Sequence, residues 1–291
     1  MNVTPNLLLG ALALVMFGLG LSLTVEDFLR VARYRMAVIL ALGLQVVVLP
    51  LACLGIVLLF GLSPEYAVGM LILAASPGGI TANLFSHLYG GRVAVNITLT
   101  AINTLLAIVS LPLISNLAIG YFIPPGPDAT VVPLQFGKVV QVVGVVVVPV
   151  MSGMIVARNA PTLAARANKP FKALATLVLA SFALLAIFQE RDALITSAAS
   201  LGPAVVVFNL LSLLSGYYLA RSRGLDEGTA RAISFEIGIH NSTLALYIAL
   251  SVLMSFEIAL PAALYSISMY ITAALFGTWL GRARYQQKPA Q

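Results

Sequence analysis

The chain has 291 residues, of which 60% are hydrophobic and only 9% charged, against roughly 25% charged in ordinary soluble domains. That composition excludes a soluble enzyme or binding module and describes an all-α polytopic membrane protein embedded in the lipid bilayer. The net charge of +6 does not describe a nucleic-acid binder, because the basic residues sit in short connectors beside apolar segments, as the positive-inside rule requires.

A bilayer core about 30 Å thick takes roughly 20 apolar residues per helix, and the apolar runs between charges, Pro and Gly predict about nine crossings. The first, Leu7 to Leu23, has no basic segment before it and is followed by Glu26 and Asp27, so it reads as a span and not a cleaved signal. The second, Met36 to Leu62, carries a solitary amide, Gln45, ahead of Pro50, and also holds the single cysteine, Cys53, which excludes an intramolecular disulfide and a thiolate metal cluster. The third, Tyr66 to Tyr89, is interrupted at Ser76-Pro77-Gly78-Gly79. Pro77 removes a donor and the glycines let the chain turn, so two half-helices are expected there. The fourth, Val93 to Phe122, places Asn96, Thr100 and Asn103 on one helical face. The fifth to seventh, Leu134 to Val156, Leu174 to Phe188 and Ile195 to Ala220, are dominated by apolar residues. The eighth, Thr229 to Leu253, gathers Glu236, Gly238, His240, Asn241, Ser242 and Thr243 at mid-span, which predicts a second break. The ninth, Ile258 to Leu280, ends on the only tryptophan, Trp279, where an interfacial anchor belongs.

Alternation of these spans puts Arg30, Arg33, Arg35, Arg92, Arg158, Arg166, Lys169, Lys172, Arg221, Arg223, Arg231, Arg282, Arg284 and Lys288 on one side. This sets the N-terminus outside and the C-terminus in the cytoplasm of a cell (inner) membrane. Residues 1–291 form a single transmembrane domain. Within it, residues 7–122 and 174–280 each contain four spans with the interrupted one third, at 66–89 and 229–253. An odd span between them makes this an inverted repeat, and paired interruptions mark a transporter's binding site.

Of ten acidic residues, only Glu236 occupies the middle of a hydrophobic segment. Burying it costs on the order of 3 kcal/mol on insertion scales, and no lysine or arginine lies at similar depth. A bound cation, a protonated carboxyl, or a neutral Glu hydrogen-bonded to another helix would each account for it. The amide and hydroxyl oxygens of Gln45, Asn83, Asn96, Thr100 and Asn103 favour a hard cation such as Na⁺ over a transition metal. For Asn103 a helix-to-helix hydrogen bond is the preferred reading. Half-helix N-termini carry free N–H groups and partial positive charge. Ile80 and Asn241 onward, with donors from Thr81, Asn241, Ser242 and Thr243, are therefore expected to hold an anion. An anion site beside a cation site predicts coupled transport. A passive channel would need a polar stripe through several helices. An intramembrane aspartyl protease would need a second central acid, and Ser242 with His240 is poorly spaced for a serine protease.

Taken together, MFGLGLSLTVEDF in the first span, Gln45 with Pro50, SPGGITANLFSHLYGGRVAVNIT and FEIGIHNSTLA resemble the bile acid:sodium symporter family, including its nine-span bacterial homologues. The resemblance implies two crossing discontinuous helices, a core domain against a panel domain, alternating access, and one or two Na⁺ ions. It implies a first sodium site at Asn83, Asn96, Thr100 and Glu236. A second would share Glu236 with Gln45, His240 and the backbone carbonyls of Ile237 and Ile239. This chain departs from the family at Ala82 and Asn96, where Ser is common, and at His240, where Gln is usual. His240 leaves open a weakened second site, rearranged ligands, or proton coupling. Met269 and Tyr270 stand where bacterial bile-acid-binding homologues tend to have a His-Asn pair. The implied function is Na⁺-coupled import of a small organic anion, with proton-coupled or uncoupled transport as the alternative.

Overall fold

The computed structural model describes residues 5–123, 136–167 and 191–286, and the expected sixth span, Leu174 to Phe188, lies outside them. The described residues are helical throughout, and β pairing among them is confined to one isolated bridge.

Helix α1 (Pro5–Gly20) leads into α2 (Val25–Leu29) through a bend of 75°. The carboxylate of Asp27 builds the corner: it accepts from the Thr24 N–H and hydroxyl, each at 2.8 Å, and from Arg30 at 2.6 Å. This locates the helix start that follows the first span. The second span runs as α3 (Arg35–Gly43), a wide π-turn at Leu44–Val48, and α4 (Leu49–Leu59). Pro50 has no N–H to offer the carbonyl one turn back, and the turn widens around that gap. The same turn carries Gln45, which is 3% exposed.

The third span is α5 (Pro64–Ala75) followed by α6 (Ile80–Leu88). Ser63 caps α5 and Pro64 pre-sets its first turn. Every residue from Ala67 to Ala75 is buried, so this half-helix is enclosed by protein on all sides. Next come α7 (Val93–Phe122) and α8 (Phe136–Asn159), and residues 161–167 are also helical. After α9 (Arg191–Ser222), the eighth span is α10 (Glu227–Gly238), then α11 (Ser242–Tyr247) continuing as a second π-turn at Ile248–Val252. The final helix is α12 (Phe256–Gln286).

Packing separates two groups. Helix α1 lies against α8, where Gly20 and Gly153 allow the backbones to touch: a Cβ at Gly20 would run into the Val150 carbonyl, and one at Gly153 into Phe17 and Gly20. In the other group α5 packs on α7 and α12, while α10 packs on α9, α6 and α7. Lipid-facing residues such as Leu51, Val109, Leu117, Ile271 and Leu275 are exposed, as expected where the solvent is hydrocarbon. Four described helices are long and apolar enough to cross a bilayer alone, namely Arg35–Leu59, Val93–Phe122, Ala199–Ser222 and Phe256–Gly281, and the bent pair Leu12–Gly20 with Val25–Ala32 makes a fifth when counted as one span.

Arg231 differs from its expected place among the connector cations. It is 3% exposed on α10, ion-paired to Glu227 at 3.0 Å, and donates to the carbonyls of Tyr89 at 2.6 Å and Leu280 at 3.1 Å. These are carbonyls at the ends of α6 and in α12, so the guanidinium fastens three helices at one end of the bundle.

Candidate functional site

The two interruptions meet. Ser76 is extended (φ −72°, ψ 136°), as the residue before a proline must be, and α5 stops there. Helix α10 stops at Gly238, with Ile239 and Asn241 both out of helical geometry. The unwound strands then pair antiparallel at Gly78 and His240. The Asn241 N–H donates to the Pro77 carbonyl at 2.8 Å, and the Gly79 N–H to the Ile239 carbonyl at 3.3 Å. Backbone groups freed by each break are therefore partly satisfied by the other, which is how irregular backbone survives away from water. Two helix C-termini (α5, α10) and two N-termini (α6, α11) converge on the crossing, supplying partial negative and partial positive charge respectively.

Glu236, fully buried on the last turn of α10, sits against this crossing. Its carboxylate accepts from the Thr100 hydroxyl at 2.6 Å, the Asn103 amide at 3.1 Å and the Gly78 backbone N–H. All three partners donate, so the carboxyl lies in surroundings suited to an acceptor. No salt bridge among the described residues includes it. Asn96, one turn below Thr100, spends its amide N–H on the Ala232 carbonyl at 2.7 Å.

A second cluster forms on the Ser76 carbonyl, which accepts from Gln45 Nε2 at 3.0 Å and from His240 Nδ1 at 2.9 Å; Gln45 Nε2 also reaches the Ala74 carbonyl at 3.0 Å. A carbonyl only accepts, so Nδ1 carries a proton, and in the neutral form of the ring Nε2 presents a lone pair. The ring stacks on Phe208 (5.5 Å between centroids, 14°) and tilts against Tyr265 (5.5 Å, 56°).

What these bonds leave over is informative. The buried side-chain polar atoms without a partner among the described residues are Gln45 Oε1, Asn96 Oδ1, Asn103 Oδ1 and His240 Nε2 of these two clusters, Asn83 Oδ1 on α6, and Ser86 Oγ and Ser251 Oγ. Leaving such an atom bare costs roughly 1–3 kcal/mol. In Gln45, Asn96 and Asn103 the N–H₂ is used and the oxygen is left, so these residues present acceptors, the donor chemistry a hard cation takes.

The expected anion-binding residues follow the two breaks in the chain. Gly79 caps α6 without a side-chain bond, and Ile80 and Thr81 follow, half-buried, with Thr81 hydrogen-bonded to Tyr270. The Asn241 side chain caps α11, its oxygen accepting from the Leu244 N–H at 3.1 Å. Ser242 lies 3.8 Å from the Met269 sulfur, and Thr243 is half-buried. Beside the start of α11 is a mainly apolar crevice lined by Thr104, Ala107, Ile108 and Leu111 of α7, Val143 and Val146 of α8, and Leu244.

Asn103 makes the helix-to-helix bond expected of it, donating to Glu236, while its oxygen has no partner among the described residues; Asn209 was not singled out. A lone amide in an apolar run is the signal that singled out Gln45, and Asn209 carries the same one.

Residues 9–198 match the model of the Sodium Bile acid symporter family. The chain is 26% identical over 277 residues to a Bacillus subtilis protein described as an uncharacterized sodium-dependent transporter, YocS, covering 95% of this chain and 84% of that one. It is 28% identical over 278 residues to a probable sodium/metabolite cotransporter of Arabidopsis thaliana chloroplasts, BASS1, covering 95% and 67%. With the rabbit (Oryctolagus cuniculus) ileal sodium/bile acid cotransporter the identity is 25% over 233 residues, covering 80% and 66%.

Proposed function

The chain belongs to the sodium bile acid symporter family, a family of sodium-coupled membrane transporters, and from that premise we propose that it is a secondary active symporter importing a small organic anion with Na⁺. One observation carries the reading: at the crossing of two broken helices lies a buried carboxylate with no cationic partner among the described residues, hydrogen-bonded to Thr100 and Asn103, with amide oxygens of Gln45, Asn96 and Asn103 that have no partner among those residues. In this reading Asn83, Asn96, Thr100 and Glu236 hold one Na⁺, and the bare Oδ1 of Asn103 adds a donor where Ala82 supplies none. Gln45 Oε1, Glu236 and the carbonyls of Ile237 and Ile239 offer a second position. There His240 Nε2 contributes nitrogen, a poorer ligand for a hard ion than oxygen.

The anion is held at the N-terminal ends of α6 and α11, by Ile80 and Thr81 on one and Ser242 and Thr243 on the other, with Asn241 shaping the second through its cap. The remaining architecture we propose is about nine spans, arranged as an inverted repeat of core and panel domains that rock past each other for alternating access. The N-terminus faces outward and the C-terminus the cytoplasm of a cell (inner) membrane.

Proteoliposomes containing the purified protein test this directly. An inward Na⁺ gradient should drive accumulation of at least one labelled small carboxylate from a panel, and K⁺ in its place should leave only leak. Glu236→Gln should abolish both this uptake and any Na⁺-specific rise in Tm while the protein still folds. Uptake indifferent to Na⁺, or a Glu236→Gln variant with normal sodium dependence, overturns the assignment.

A further inference from the structure

The polar side chains behind the second break form a cluster that the ion and anion sites do not use. Asn209 stands alone in the apolar run AVVVFNLL of α9. Tyr265 and Thr272 are seven apart on α12, hence on one face. Asn209 and Tyr265 are fully buried. The Asn209 amide donates to the Gly238 carbonyl and to the Tyr265 hydroxyl, each at 2.7 Å, and that hydroxyl donates to the same Gly238 carbonyl at 2.9 Å. The Thr272 hydroxyl donates to Asn209 Oδ1, which fixes which way the amide faces.

The carbonyl at the end of a helix stopped in mid-membrane needs a partner, but one donor would suffice. Here two donors converge on one oxygen, using both of its lone pairs, and a third group orients the first. Gly238 is the residue at which such fixing matters. It lies two positions after Glu236 and two before His240, and glycine by itself leaves the chain free to turn. The peptide unit is planar, so holding the Gly238 carbonyl sets the whole Gly238–Ile239 plane. The ring of Tyr265 and the neighbour of Asn209, Phe208, also bracket the His240 imidazole. One strut from α9 and α12 therefore fixes the main chain and the ring on either side of Ile239.

We infer that Asn209, Tyr265 and Thr272 are positioning residues for cation binding: by occupying the Gly238 carbonyl they turn it away from the ion and aim the carbonyls of Ile237 and Ile239 and the carboxylate of Glu236 at it. This rests on the sodium reading above. None of the three is a proposed ligand of the ion.

The test is the Na⁺ concentration dependence of Tm in detergent, read against Tm in KCl. Tyr265→Phe keeps the ring contacts and removes only the hydroxyl, and Thr272→Val removes the most distant donor, so both are expected to fold. Each should raise the half-saturating Na⁺ concentration by roughly three- to tenfold, the value of one hydrogen bond. Asn209→Leu should raise it at least as much. Ser115→Ala, which removes a buried hydroxyl bonded only within α7, should leave it unchanged. A fall of Tm in KCl with an unaltered sodium midpoint would mean that the cluster only packs, and overturns the inference. A wild-type protein with no sodium-specific response fails differently: it removes the sodium reading first and this inference with it.

Discussion

Gly78 is a glycine because of what stands opposite it. Its φ is not in the left-handed region, unlike those of Gly61, Gly90 and Gly224, so conformational freedom is not the reason. A Cβ there would collide with the Glu236 carboxyl and lie 2.7 Å from the Glu236 carbonyl oxygen. The missing side chain lets the backbone N–H of one broken span reach the carboxylate of the other. Gly78→Ala should therefore destabilise the protein by about 1–3 kcal/mol, as overpacking does, and should weaken the sodium-dependent rise in Tm disproportionately. A variant with a wild-type Tm and sodium midpoint would show that the crossing has room to spare. Glu236 and Gln45 were legible at this scale, since a charge or amide in an apolar run needs no structure to be noticed. The cap formed by Asn241 and the buried place of Arg231 were not. Both depend on partners, the Leu244 N–H and the Tyr89 and Leu280 carbonyls, whose availability is set by where helices end and meet.

Helix ends are the level at which local chemistry read most clearly. Helix α7 coincides with its expected limits, Val93–Phe122, because Gly90 and Gly91 precede it and Pro112 inside it is tolerated. Both breaks fall where polar and Gly residues interrupt the apolar pattern. The first span ends earlier than expected, at Gly20, because the Thr24–Asp27 box starts a new helix in a new direction. Asp226 performs the comparable task for α10: it accepts from the Thr229 N–H at 3.1 Å and hydroxyl at 2.7 Å, and pairs with Arg92 at 3.2 Å. Partial burial pushes its carboxyl up, but the Thr229 hydrogen bonds and the Arg92 guanidinium outweigh this and hold it below the ordinary 3.8. A depressed carboxylate contributes stability above its unfolded pKa and loses it as pH falls through the folded value. Acidification below the ordinary carboxylate range should therefore remove the contribution of Asp226. Asp226→Ala should cost about 1 kcal/mol at neutral pH through the lost cap. Asp226→Asn keeps a capping oxygen without the charge, so its Tm should fall less on acidification than that of the wild type. Parallel acid-induced losses in both would show that the Arg92 pair and the carboxylate charge are not involved.

Across the whole molecule, the site is built from α3–α4, α5, α6, α7 and α10, whereas α1 and α8 pack on each other through Gly20 and Gly153. A side chain inserted at that second contact should loosen the pair without reaching the ion. Gly153→Leu should lower Tm yet leave the half-saturating Na⁺ concentration unchanged, and a shifted sodium midpoint would show that the two groups of helices share the cation site. By itself the sequence determined that the protein is a polytopic helical one, where its helices are interrupted and which acid is out of place. Those properties follow from local hydropathy, proline and glycine. Only the tertiary structure decided which polar atoms are used and which are left over. Thr100 and Glu236 are 136 residues apart in the chain, and whether an amide's N–H₂ is used and its oxygen left without a partner depends on contacts that only folding makes.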